Sequence, residues 1–370
     1  MKLLLLAGEE SGVHYARRIE EAVRAVVPSL EVRGYGDYGF GTSDLAVFGI
    51  WAVLRRLFFF MRVKRTMERA IDEWRPDVVC TVDYPGMNLK LAAYAKRRGV
   101  RTVHVVCPQV WAWRSGRIPR IERSLDRLCC FFPFEPGLFR DGFATFVGHP
   151  LVQEFAAAGG GARRPRGSAE PLVAVLPGSR LGEIERNLPV LLEAVRPLKG
   201  VRVAIPAANG RALAAIEGIV GKFASVHGWE PGPSVQLGGA RELLLGADVA
   251  AVASGTATLE AALALCPTVL VYRVSPVLAF IMRRVVTGVR HAGLANIIAE
   301  KAGAECPMPE LLQEDFTAEA TRACLEKWLS DPAERERASA ALARTVARLG
   351  SDGDAYAKIA REVAGEFRRS

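Results

Sequence analysis

The chain has 370 residues, half of them hydrophobic and 24% charged. That is room for two cored domains and the profile of a folded globular protein, which excludes an intrinsically disordered one. Its formal net charge of +9 points to an anionic partner (a phosphorylated substrate, an acidic membrane surface or nucleic acid) or to a solvated basic surface.

The start, MKLLLLAGEESG, has an apolar run only from Leu3 to Ala7 followed at once by acids. It therefore reads as a first strand, Leu3–Leu6, rather than a signal peptide. The turn Gly8, Glu9, Glu10, Ser11, Gly12 comes after it, then a helix over His14–Val27. Gly34, Gly36 and Gly39 match a G-x-G-x-x-G pattern, but the residues after Gly39 open no clear helix and no acid lies ~20 positions on, so a dinucleotide site is discounted. From Phe48 to Arg65, Trp51, Phe58, Phe59 and Phe60 alternate with Arg55, Arg56 and further cations. Such a segment either enters a membrane interface, aromatics to the acyl boundary and cations to lipid phosphates, or is a core helix with a solvated basic face. Its aromatics are clustered rather than spaced as stacking platforms, which argues against nucleic acid.

Helix Arg62–Trp74, strand Val78–Val82, helix Leu89–Arg98 and strand Thr102–Val106 come next. Asp83, directly after a buried strand, is a candidate general base or, equally, a structural turn capping the helix near Asn88. Cys129 and Cys130, in LCCFFPF, read as core thiols. With seven cysteines and no C-x-x-C pair, the chain suits a reducing compartment and implies no zinc site.

The stretch 156–171, rich in Gly, Arg and Pro, marks the boundary between two runs of βα units. Strands Leu172–Leu176, Val201–Ile205, Val249–Ala253 and Thr268–Tyr272 lie beyond it. Two turns stand out: Pro177, Gly178, Ser179, Arg180 with Glu183 opening a helix, and Ser254, Gly255, Thr256 before ATLEAALAL. Each presents backbone N–H groups at a helix start, where phosphate is favoured. Arg180 adds a charge-assisted contact, and Glu260, one turn beyond Thr256, is placed to accept from ribose hydroxyls. Short strands alternating with helices predict an α/β fold with two Rossmann-like, doubly wound parallel sheets facing a cleft. The expected division is 1–158, a linker 159–171, 172–345, and a terminal helix within 346–370 packing across the junction. No segment approaches the ~20 apolar residues that span a bilayer.

Taken together, PDVVCTVDYPGMNLKLA, PQVWAWRSGRIPRI, FFPFE, VGHP, LPGSRLGEIE and ASGTATLEAALALCPTVLVYR resemble the lipid-A-disaccharide synthase family, membrane-associated glycosyltransferases of the GT-B fold. The likeness runs from AGEESG to Asn296. It implies an inverting transfer from UDP-2,3-diacylglucosamine to 2,3-diacylglucosamine 1-phosphate. Asp83 would then be the base, and Gly178, Ser179, Arg180, Glu183, Ser254, Gly255, Thr256, Glu260 and Asn296 the UDP site. Gly8, Glu9, Ser11, Gly12, Asn88, Trp113 and Arg114 would lie on the acceptor side. The resemblance further implies no metal or other cofactor, an anionic membrane surface as partner at the inner face of the cytoplasmic membrane, no nucleic acid, and a homodimer. The chain departs from the family's usual pattern at Val13 and Gly86, where acids are usual, and in a shorter stretch after Gly34. A related transferase or UDP-sugar epimerase, or an inactive lipid- or nucleotide-binding relative, are the competing readings.

Overall fold

The computed structural model describes residues 1–8, 10–41, 57–158, 170–275, 279–280, 284, 288–350 and 352–365, without the side chains of residues 10, 11 and 57. The expectations placed on Glu9, Trp51, Arg55, Arg56 and the Ser11 side chain lie outside the described residues. The chain forms two compact units, Met1–Pro150 with the C-terminal segment, and Leu151–Gly350.

The first unit runs β1 (Lys2–Ala7), α1 (Glu10–Val26), β2 (Glu31–Arg33), α2 (Leu57–Trp74), β3 (Val78–Val82), α3 (Pro85–Lys96), β4 (Arg101–Val105), α4 (Ile118–Ser124), β5 (Arg127–Cys130) and β6 (Ala144–Phe146). Its six strands are all parallel, in the order β2-β1-β3-β4-β5-β6. The two-residue period of a strand explains why both faces are apolar. Leu3 and Leu5 pack with Ile19 and Val23 of α1, whereas Leu4 and Leu6 pack with Val63, Met67 and Ile71 of α2. Those three α2 residues recur every four positions, the spacing of a helix stripe. Burying each such side chain is worth about 1.5–3 kcal/mol.

In the second unit, α5 (Pro150–Ala157) precedes β7 (Leu172–Leu176), α6 (Leu181–Val195), β8 (Arg202–Ala207), α7 (Gly210–His227), β9 (Ser234–Leu237), α8 (Ala240–Gly246) and β10 (Val249–Ala253). Then come α9 (Thr256–Leu263), β11 (Thr268–Tyr272), α10 (Leu294–Lys301), β12 (Glu310–Leu312), α11 (Ala318–Ser330) and α12 (Pro332–Val346). The order of this second parallel sheet is β12-β11-β10-β7-β8-β9. The last helix, α13 (Ala355–Ala364), belongs to the core of the first unit. There Tyr356, Ile359, Ala360 and Val363 join the cluster of α1 and β1, and Arg101 Nη2 donates to Glu362 O at 2.9 Å.

Each sheet reverses its strand order once, between β1 and β3 in the first unit and between β7 and β10 in the second. Beyond such a reversal the connecting helices leave on opposite faces, so a crevice opens at the carboxyl ends of the two strands. The Phe58–Phe60 triplet divides. Phe58 is 81% exposed, while Phe59 and Phe60 pack on the Leu4/Leu6 side of the sheet, with Phe59 6.0 Å from Phe40. Of the two readings of this segment, Phe59 and Phe60 side with the core and Phe58 stays open to solvent. The Gly34–Gly39 pattern opens a 3-10 turn over Tyr35–Tyr38 rather than an α-helix.

Candidate active site

Both reversal points fall on residues singled out by the sequence. In the first unit, β3 ends at Val82, and Asp83 and Tyr84 both adopt left-handed backbone, each with φ 49°. Residues with side chains hold that conformation only when their surroundings enforce it. Asn88 supplies the enforcement. Its buried amide donates to Asp83 O at 2.8 Å, Val82 O at 3.2 Å and Leu6 O at 3.3 Å, and its Oδ1 accepts from Tyr35 Oη at 2.8 Å. One asparagine thus ties together the ends of β1 and β3 and the turn after β2. Gly8 is required opposite, because a Cβ there would lie 2.7 Å from the Tyr84 ring. At Gly12 a Cβ would make only ordinary contacts with Ala7 and Val82.

Asp83 does not cap α3; Tyr84 holds that position without a side-chain cap. Burial pushes the Asp83 carboxyl above its ordinary range, opposed by a hydrogen bond from the Tyr84 backbone. No cation pairs with it among the described residues. Its chemistry is that of a half-buried carboxylate with enhanced proton affinity.

Trp113 and Arg114 follow β4, the Arg114 guanidinium lying 4.6 Å over the Trp113 ring. The loop is anchored by a residue the sequence reading passed over. Glu135 accepts from Trp111 Nε1 at 3.0 Å and from Phe132 N at 3.1 Å, which joins the PQVWAW and FFPFE stretches. Burial raises the Glu135 carboxyl to about 7. The ligating atoms of Glu135, Cys107 and Cys130 lie within 4.8 Å of one another, a grouping that the cysteine spacing gave no sign of. A hydrogen bond with Cys107, together with burial, holds the Cys130 thiol protonated.

In the second unit β7 ends in the Pro177–Arg180 turn. Gly178 has φ 119°, and a Cβ there would meet Glu183 Cβ at 2.8 Å. The turn's donors converge as expected, and they hold an anion of the chain's own. Glu183 Oε2 accepts from Ser179 N at 3.3 Å and Arg180 N at 3.4 Å, while Oε1 takes Arg180 Nη1 at 2.7 Å and Tyr272 Oη at 3.4 Å. Glu183 thus closes a capping box at the start of α6 and occupies the donors of its own turn.

After β10, Ser254 Oγ donates to Ala292 O at 3.1 Å, and Gly255 and Thr256 stand exposed at the start of α9. Burial raises the Glu260 carboxyl, offset first by Arg241. Asn296 is almost wholly buried: its Nδ2 donates to Met308 O and Glu310 Oε1, each at 2.8 Å, and its Oδ1 accepts from Met308 N at 3.0 Å. Glu310 in turn accepts from Ala292 N at 2.9 Å and Gly293 N at 3.0 Å. Asn296 therefore braces the loop that Ser254 holds, and its amide points inward.

Two parallel sheets, each with functional-looking turns at its order reversal, define a GT-B-type α/β protein. In solved structures the same fold occurs in a putative UDP-N-acetylglucosamine 2-epimerase from Listeria monocytogenes, at 12% identity and TM-score 0.62, over 100% of this chain and 97% of that one. It occurs also in the calicheamicin glycosyltransferase CalG4, at 17% identity and TM-score 0.58, over 100% and 98%. Sequence narrows this class. The lipid-A-disaccharide synthetase family model matches residues 3–358. A lipid-A-disaccharide synthase of Xylella fastidiosa is 37% identical over 353 residues, 90% of this chain and 89% of that protein. The chain belongs to the lipid-A-disaccharide synthase family, and it is a glycosyltransferase.

Proposed function

We propose that the chain transfers 2,3-diacylglucosamine from its UDP derivative to the 6-hydroxyl of 2,3-diacylglucosamine 1-phosphate, with inversion at the anomeric carbon. The observation that carries this reading is Asp83, a carboxylate of raised proton affinity fixed at the β1/β3 reversal by Asn88. Asp83 takes the proton from the acceptor hydroxyl as that oxygen bonds to the anomeric carbon. The bond from carbon to diphosphate breaks, and its electron pair leaves with UDP. A positioned base contributes about 100- to 10,000-fold to such a step.

The backbone donors of Ser179 and Arg180, the Arg180 guanidinium and the start of α9 would stabilise the departing diphosphate. For the first two, the Glu183 carboxylate must give way to the nucleotide, because both backbone donors now point at it. Asn296 acts at one remove, through Glu310 and the loop that Ser254 grips. No helix among the described residues is long and apolar enough to cross a membrane. The exposed Phe58, on a segment rich in cations, suits a peripheral attachment to the inner face of an anionic cytoplasmic membrane.

The test is a transfer assay with both lipid substrates and determination of the product linkage. A β-1,6-linked disaccharide with release of UDP is expected. Release of UDP without a disaccharide, or a different linkage, would replace this reading.

A further inference from the structure

The first unit has a cationic cavity apart from the candidate base. It measures about 80 Å³ and lies between the start of α3 and α4, lined by Pro85, Gly86, Lys90, Arg117, Arg120 and Ser124 among others. Its floor is apolar, formed by Leu89 and Ala93 of α3 and Ile121 of α4. Helical spacing sets the rim. Gly86 and Lys90 are four apart on α3, and Arg117 and Arg120 are three apart entering α4, so each pair shares a face. Three cations line the cavity and no carboxylate does. Among the described residues none of the three has an ion-pair partner; the nearby Glu122 is engaged with Arg140 N at 2.7 Å and Asp126 with Lys96 at 3.0 Å.

Like charges gathered without a counter-charge repel one another, and although solvent screens exposed Lys90 and Arg120 in part, an anion that joins the three is favoured. Two guanidiniums and an ammonium suit a phosphate monoester, which carries about −1.5 to −2 at neutral pH and accepts the forked arginine donors. One wall of the cavity, Pro85 and Gly86, follows the candidate base closely in the chain. Asp83 and Gly86 are three residues apart, which keeps their α-carbons within about 11 Å.

We infer that Lys90, Arg117 and Arg120 form a phosphate-monoester subsite that holds the phosphorylated end of the sugar acceptor while its hydroxyl lies at Asp83. The assignment rests on the transferase reading for the identity of its ligand, and on the cavity alone for the phosphate. Gly86 suits this role as it stands: a Cβ there meets nothing within 4 Å, and the wall it forms carries no negative charge.

The test measures binding by calorimetry in uncharged detergent micelles, with two probes: 2,3-diacylglucosamine 1-phosphate and the same lipid lacking phosphate. The full chain is compared with Arg117→Gln/Arg120→Gln. The unmodified chain should prefer the phosphorylated probe by about tenfold or more, the scale of a charge-assisted contact. The variant should lose that preference while keeping its affinity for UDP and for the phosphate-free probe. An unchanged preference overturns the inference, and so does an equal loss of both probes.

Sedimentation with phosphatidylglycerol vesicles separates the other source of phosphate. The variant should bind them as the unmodified chain does. Weaker vesicle binding with the probe preference intact would assign these cations to lipid headgroups and overturn the subsite. Intact phosphate preference without any disaccharide product sinks the transferase reading alone; disaccharide formation without preference sinks the subsite alone.

Discussion

At the β1/β3 reversal a carboxylate pairs with no cation among the described residues, and at the β7/β10 reversal another is held among donors. Asp83 sits half-buried with its proton affinity raised. Glu183 accepts two backbone N–H groups and the Arg180 guanidinium. The difference is chemical. A base must want a proton, and cations nearby would lower its affinity for one. A diphosphate site must instead offer positive ends of dipoles, and such ends take up the nearest internal anion. On the proposed reading, the same sheet reversal thus gives two sites of opposite polarity, and the side chain after the strand decides which.

The largest effect that would break this comparison is expected from Asp83→Asn. Turnover in the transfer assay should fall by about 100- to 10,000-fold while UDP affinity by calorimetry stays unchanged. Because the folded-state carboxyl is raised, the working, deprotonated form is lost as pH falls. The acid limb of kcat/KM should therefore lie above the ordinary aspartate range and vanish in the variant. A fully active Asn variant would remove Asp83 as base.

Next in size come the two buried asparagines that brace the reversals. Asn88→Ala strands the Tyr35 hydroxyl and up to three carbonyls, and Asn296→Ala strands the backbone N–H and carbonyl of Met308. Each unsatisfied group costs about 1–3 kcal/mol, so both variants should show a lower urea midpoint. The comparison is sharpened by their functional readouts. Asn88→Ala should raise the KM for acceptor and Asn296→Ala should weaken UDP. The reverse pattern would show that the two halves have been assigned the wrong way round.

The smallest effect is expected from Glu183→Gln. The amide oxygen still accepts a backbone N–H, but the negative charge competing with the diphosphate is gone. UDP should bind several-fold more tightly, by about 1 kcal/mol, the scale of a charge pair whose arginine stays open to solvent. Weaker binding by calorimetry would mean that Glu183 shapes the turn rather than competing in it.

Much of this is legible in the sequence because buried parallel strands are short, continuous apolar runs. Seven segments read that way, and all are found as strands, from β1 to β11. The strands missed, β2, β5, β6, β9 and β12, are only three or four residues long, and β9 is largely exposed, so they lack the apolar signature. The candidate turns are legible because Gly and Ser before a helix have a physical reason to be there. The family resemblance puts Asn88 beside the acceptor without its tie to Tyr35, 53 positions away, and makes Asn296 a nucleotide ligand although it faces Met308 and Glu310. Neither partner is implied by local spacing.

The sequence by itself determined two α/β halves, strand ends carrying an aspartate in one and small-residue turns in the other, and the family to which these belong. These are consequences of hydrophobic period and of backbone chemistry over a few residues. The tertiary structure decided the rest: that Phe59 faces the core while Phe58 meets solvent, that Glu183 occupies the donors of its own turn, that α13 completes the first unit, and that Lys90, Arg117 and Arg120 share one cavity. Each depends on which face of an element is turned toward which neighbour. That is fixed by packing between residues distant in the chain, where local propensity is silent.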